Sequence, residues 1–176
     1  DFRLQGWDID LQAHVRRGGQ VLGICGGYQM LGKMIHDPKG IEGPPRSIVG
    51  LGLLDIETTM SEQKVLREVT ATTRDSNLKV KGYEIHIGKS AGNDLSNSWL
   101  QVNNKNVSAA SRNGQIQGCY LHGIFSNDAF RSAYIAKLGA KFSNVNFEDK
   151  IDKTLDLLSE HIEKYIDLDH LIKLTK

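Results

Sequence analysis

The stretch "GGQVLGICGGYQMLG", Gly18–Gly32, decides the fold. Gly18-Gly19 stops whatever precedes it, and Val21–Ile24 is a short run apolar on both faces, as a strand inside a parallel sheet requires. Cys25-Gly26-Gly27 makes a corner. From Tyr28 to Ile35 the apolar residues Met30, Leu31 and Met34 recur at helical spacing. Strand, sharp corner and helix together are a piece of α/β architecture. Such a corner lifts its side chain above the sheet edge and aims the first helical N–H groups at whatever binds there. A thiol so placed feels the positive end of the helix dipole, which favours the thiolate. Gly23 and Gly27 are expected to make room for crowded backbone, and Gly26 to offer an unobstructed N–H to an oxyanion. On the corner alone, the plainer reading of Cys25 as a small core residue stays open.

Upstream of the corner, Ile9, Leu11, Ala13 and Val15 form a helical stripe beginning at Asp8. Downstream, His36–Ser47 holds all three prolines and reads as a surface loop. Val49–Thr59, Val65–Thr73, Val80–Ile87, Trp99–Val102, Val107–Ala110 and Gln115–Leu121 read as strands between Gly, Asn, Asp and Ser clusters. "NNKN" (Asn103–Asn106) and "RNG" (Arg112–Gly114) read as hairpin turns. Helices return after Ser126. Ser126 or Asn127 is placed to cap "DAFRSAYIAKL", and Gly139 to end it. Ile151, Leu155, Leu158 and Ile162 stripe another helix, and Asp167–Leu174 reads as a short last one.

Composition narrows the function classes. The 176 residues suit one domain with an adequate core, and 39% hydrophobic with 24% charged residues is an ordinary soluble balance. No apolar run approaches the ~20 residues that span a bilayer. A net charge of +1 gives no reason to expect nucleic acid or a membrane surface as partner. Two distant cysteines make neither a disulfide framework nor a zinc pattern, so no metal site is expected and reduced thiols suit a cytoplasmic location. "GICGGY" is no phosphate loop, since it lacks the Gly-Lys-Ser/Thr ending. The opening "DFRLQGWDIDLQ" has no leader pattern and no initial Met, and it reads as part of a longer chain.

A cysteine nucleophile needs a base nearby in space. Of the six histidines, His14, His36, His161 and His170 read as ordinary surface or helix-end residues. His122 lies in "GCYLHGIF", between a strand and a helix, where α/β proteins place chemistry. His86 lies in "KGYEIHIGKS", two positions after Glu84 on the same strand face. Both stay open as candidates from the residues alone. Cys119 reads as packing.

These residues resemble a known family. "GICGGYQMLG" is similar to the nucleophile motif of triad-type (class I) glutamine amidotransferases in their cobalamin-pathway variant. "GLGLLDIET" (Gly50–Thr58), "KGYEIHIGKS" (Lys81–Ser90), "GCYLHGIF" (Gly118–Phe125) and "LSEHIEKYIDLDHLIKL" resemble the C-terminal amidotransferase domain of the cobyric acid synthases. The resemblance implies a flavodoxin-like α/β domain with a mainly parallel sheet. It also implies that residues 1–176 are one amidotransferase domain, shortened at its N-terminus by a strand-and-loop segment that supplies a second oxyanion N–H. By the same resemblance, Cys25 is the nucleophile, His122 the general base and acid, Gly26 an oxyanion donor and Gln29 a neighbour of the bound glutamine. Such enzymes normally carry Glu two residues after the histidine; here Ile124 stands there, as in the cobalamin-pathway variant, and Glu84 and His86 are the candidates to orient or support the ring. No cofactor is expected in this domain. An upstream synthetase domain of the same chain would use ATP and Mg²⁺ to amidate a corrinoid, adenosylcobyrinic acid a,c-diamide. Two sister activities, cobyrinic acid a,c-diamide synthase and the amidotransferase of peptidoglycan precursors, are the alternatives within the class. A catalytically silent binding module is the alternative outside it.

Overall fold

The computed structural model describes residues 2–140 and 146–174, and it divides into two compact units, Asp1–Ile124 and Phe125–Lys176. In the first unit, helix α1 (Trp7–Arg16) has Asp8 and Asp10 in its first turn and His14 and Arg16 in its last, matching the helix dipole at both ends. It stops at Gly18, whose φ of 86° few other residues adopt, with Gly19 N–H donating to His14 O at 2.9 Å. Gln115 Nε2 donates to Val15 O (2.6 Å), in the last turn of α1, and to Gly19 O (2.8 Å) just beyond it, which ties the end of α1 to the start of a distant strand.

Strand β1 (Val21–Ile24) lies where the sequence places it. Helix α2 is shorter than expected, Gly26–Leu31, with Tyr28 and Leu31 buried. Gly32 is fully extended, Lys33 N–H donates to Ile56 O at 2.8 Å, and the chain continues as β2 (Met34–Asp37). Met34 therefore shares its spacing with Met30 and Leu31 by accident of two adjoining elements. The expected loop His36–Ser47 contracts to residues 38–45, because its ends pair in β2 and β3 (Arg46–Val49). The run Val49–Thr59 is likewise not one strand: residues 50–56 connect β3 to β4 (Glu57–Thr73). β4 and β5 (Lys79–Ala91) form a long antiparallel hairpin with a register shift between Thr59 and Lys64. The hairpin β6 (Leu100–Val102) and β7 (Lys105–Asn106) turns through Asn103 and Asn104, both at positive φ, as "NNKN" suggests.

The expected strand Gln115–Leu121 is broken in two. β9 (Ile116–Cys119) pairs in parallel with β1 and antiparallel with β8 (Ser108–Ala110). After Tyr120 the chain enters the other sheet as β10 (Leu121–His122), antiparallel to β5. The sheets run β1-β9-β8 and β10-β5-β4-β2-β3, with β6 and β7 attached through β4. The α/β class stands, and the corner sits on a parallel pair as expected. Parallel pairing among the described residues is confined to β1–β9 and β2–β4; the other ladders are antiparallel, since hairpins supply most of the strands. The core gathers Tyr28, Leu31, Leu54, Ile56, Ala109, Ile116 and Tyr120, with Leu11 and Val15 of α1 packed against it.

In the second unit, α3 (Asp128–Lys137) is preceded by Asn127, and the rings of Phe125, Phe130 and Tyr134 meet tilted or edge-on with centroids 5.3–5.7 Å apart. Asn146 caps α4 (Phe147–Glu163) by accepting from Asp149 N, and α5 is Leu168–Leu174. No helix among the described residues is long and apolar enough to cross a membrane.

Candidate active site

Cys25 stands between β1 and α2 with φ 55° and ψ −117°. A non-glycine residue in that region holds roughly 1–3 kcal/mol of strain, which its surroundings must over-determine. They do: its N–H donates to Cys119 O at 2.9 Å, and its C=O accepts from Gln29 N at 3.1 Å. Gly23 provides the clearance. A Cβ there would lie 2.8 Å from Tyr28 N and 2.6 Å from Leu31 Cδ1, whereas Gly27, expected to share this task, has open space where its Cβ would be. The structure therefore gives the clearance to Gly23 alone of these two.

The Sγ of Cys25 points at the backbone oxygen of Ile85, 3.5 Å away. His122 Nε2 reaches the same oxygen at 3.3 Å. Residues far apart in sequence thus meet on one carbonyl, brought there because β9 pairs with β1 while β10 pairs with β5. The partnership of β5 and β10 depends on Gly82, where a Cβ would stand 2.4 Å from His122 O. Cys119 has a different fate: it is fully buried, and burial pushes its thiol up to about 12. It packs, as the sequence suggests.

Gln29 is not a surface residue of α2. Its Nε2 donates to Ile87 O (3.1 Å) and Tyr120 Oη (3.4 Å). Tyr120 Oη lies 2.6 Å from Ser90 Oγ, which lies 2.8 Å from Thr58 Oγ1. The His86 ring stacks on Tyr120 with centroids 4.0 Å apart. Its Nδ1 donates to Gly88 O at 2.8 Å and its Nε2 lies 3.2 Å from Glu84 Oε1. The other Glu84 oxygen is held by Arg67 at 2.6 and 2.7 Å. Glu84 is thus engaged with His86 and Arg67, so the pair supports strand β5 and not the ring of His122 directly.

Above these groups lies a cleft of about 430 Å³, lined by Cys25, Gly26, Gln29, Ile85 and His86 among others. Ile85, Tyr120, Ser90 and Gly82 belong to the arrangement; they lie inside the motifs "KGYEIHIGKS" and "GCYLHGIF", yet none of them has a role assigned from the sequence. Ile85 contributes a backbone oxygen, and the other three act through partners on distant strands. No group of three or more His, Cys, Asp or Glu among the described residues is placed to hold a metal ion.

Residues 2–130 match the family model described as the CobB/CobQ-like glutamine amidotransferase domain. The chain belongs to this family. The α/β domain described above is accordingly the flavodoxin-like fold of class I glutamine amidotransferases, and the chain is an amidotransferase domain of the enzyme type. It is 48% identical over 99% of its length to a cobyric acid synthase of Bradyrhizobium diazoefficiens. It is 49% identical, again over 99%, to one of Rhodobacter capsulatus. A cobyric acid synthase of Methylorubrum populi is 47% identical over the whole chain. The amidotransferase chain spans 36% of the length of each of these relatives.

Proposed function

We propose that this domain is the glutaminase part of a cobyric acid synthase, and that Cys25 and His122 carry its chemistry. The convergence of Cys25 Sγ and His122 Nε2 on the oxygen of Ile85, with Cys25 and Ile85 lining the cleft, is the observation that supports this most. The Cys25 sulfur attacks the side-chain amide carbon of glutamine, and the thiol proton passes to His122. Charge developing on the amide oxygen is met by the Gly26 N–H at the corner. The tetrahedral intermediate collapses as His122 returns the proton to the leaving nitrogen. Ammonia departs, leaving a γ-glutamyl thioester on Cys25. Water, deprotonated by His122, then attacks the thioester and frees glutamate and the thiol. Gln29, held by Ile87 O and Tyr120 Oη, presents its amide beside the bound glutamine.

The ammonia is consumed by the remainder of a longer chain, as the length and names of the relatives suggest. There a synthetase part uses ATP and Mg²⁺ to activate carboxylates of adenosylcobyrinic acid a,c-diamide, giving cobyric acid in the cytoplasm. The relatives' names favour this over the diamide synthase and the peptidoglycan-precursor enzyme. A silent binding module would have no need of a strained Cys25 facing the same acceptor as a histidine.

The test uses the full-length enzyme. Cys25→Ser and His122→Ala abolish glutamine-dependent amidation and leave amidation from added ammonium salts at the wild-type rate. Normal use of glutamine by Cys25→Ser would remove the nucleophile assignment.

A further inference from the structure

Four charged side chains line the cleft near Cys25, and they differ in what already holds them. Asp37 is 6% exposed; its two oxygens accept from Ile41 N and Glu42 N, each at 2.8 Å. It folds the 38–45 loop. Arg46 lies across from Asp37 in the β2–β3 ladder, and its charge acts on that carboxylate. That influence is through space, and none of the Arg46, Glu42 and Lys64 side chains has a hydrogen-bond or ion-pair partner among the described residues.

Lys64 is placed by more than its exposure. It resumes the β4–β5 ladder directly after the irregular stretch that begins at Thr59, and such irregularities re-aim side chains beside active sites. Its ladder partner is Ile87, whose carbonyl holds Gln29. Met60, from the irregular stretch itself, also lines the cleft. A glutamine with its amide carbon at Cys25 Sγ carries its ammonium and carboxylate on a carbon three carbon–carbon bonds away, and the cleft that Cys25 lines is also lined by Glu42 and Lys64. Two cations, Arg46 and Lys64, and one anion, Glu42, without ion-pair partners among the described residues complement a zwitterionic amino-acid head. Of the cations, Lys64 is the one opposite Ile87, whose carbonyl holds Gln29.

We propose that Lys64 binds the α-carboxylate of glutamine and Glu42 its α-ammonium, making an amino-acid head subsite in the cleft above Cys25. The proposal rests on the glutaminase reading given above. It assigns Asp37 to the loop and ranks Arg46 below Lys64, because Lys64 is the ladder partner of Ile87, whose carbonyl holds Gln29.

In the full-length enzyme, Lys64→Met raises KM for L-glutamine about 10–100-fold, the loss expected for one hydrogen bond to a charged group. Its kcat and its amidation from ammonium salts stay at the wild-type level. Lys64→Arg restores most of the lost affinity. Glu42→Gln raises KM in the same way. Glutaramate, which keeps the carboxylate and lacks the amine, inhibits wild type and Glu42→Gln equally but loses potency against Lys64→Met. A KM for Lys64→Met within about two-fold of wild type, or a fall in kcat without a change in KM, overturns the subsite. Cys25→Ser separates the two claims. If it still uses glutamine, the glutaminase reading falls; if it is inactive while Lys64→Met keeps its KM, only the subsite falls.

Discussion

Substitution of Gly82 by alanine tests the geometry of the site without touching a reacting group. The new Cβ would stand 2.4 Å from His122 O and 3.2 Å from Leu121 Cγ, where ordinary contact begins at 3.4 Å. The nearer atom is backbone, so no rotamer change relieves the overlap, and β5 and β10 must separate by about 1 Å locally. β5 carries the Ile85 oxygen on which Cys25 and His122 meet, while β10 carries His122 itself. The substitution therefore moves His122, the base of the proposed mechanism, against the Ile85 oxygen. A misplacement of about 1 Å costs on the order of 10²-fold in rate, and the overpacking costs about 1–3 kcal/mol of stability. The assay is the ratio of glutamine-dependent to ammonia-dependent amidation in the full-length enzyme, with a thermal melt beside it. The ratio falls about 100-fold in Gly82→Ala while the ammonia rate holds. A folded Gly82→Ala enzyme using glutamine at the wild-type rate would show that the β5–β10 contact does not set the position of His122.

Tyr120→Phe removes the hydroxyl that holds Ser90 and Gln29 but keeps the ring against His86, and it lowers stability by about 1 kcal/mol, read from a denaturant midpoint. An unchanged midpoint would mean that the hydroxyl network contributes nothing net. Asp37 offers a pH test. The backbone N–H groups of Glu42 and Ile41 hold its carboxyl below the usual carboxylate range. A depressed folded value means that its contribution is complete above about pH 3.9, the unfolded value, and is lost as pH falls through the folded one. Below about pH 4 the melting temperature of wild type therefore falls more steeply than that of Asp37→Asn, and parallel curves would contradict the assignment.

The corner was legible because its signal is local: an apolar run, one cysteine and two glycines need no partner to be read. The same locality misled one turn later, where Met34 continued a helical spacing although α2 ends at Leu31. Gln115–Leu121 reads as one apolar run, and nothing in it marks the step at Tyr120. That step comes from partners nearly a hundred and some forty residues earlier, β1 for the first part and β5 for the second. Glu84 and His86 share a strand face by simple alternation, so their contact was predictable. Arg67, which pairs with Glu84, sits on another strand of the hairpin. Ile85 was out of reach altogether, for a carbonyl oxygen has no letter in the sequence.

That carbonyl bears on how a histidine without a following glutamate is held. A carbonyl oxygen only accepts, so Cys25 Sγ–H and His122 Nε2–H both donate to Ile85 O in this arrangement. On the proposed mechanism this is a resting pair, with nucleophile and base fixed on one acceptor and not yet on each other. Catalytic hydrogen bonds are often long before substrate binds and tighten afterwards. To take the thiol proton at Nε2, His122 must first carry its own proton on Nδ1 instead. The acceptor must therefore stay still while the tautomer changes and Nε2 turns to the thiol, and β5 is built for that. His86 bridges Glu84 and the Gly88 carbonyl on either side of Ile85, Arg67 anchors Glu84 from β4, and Tyr120 closes the back of the ring. The orienting function that a carboxylate performs through a side chain is here assigned to a clamped stretch of backbone. Glu84 and His86 then act on His122 only through the strand that they hold.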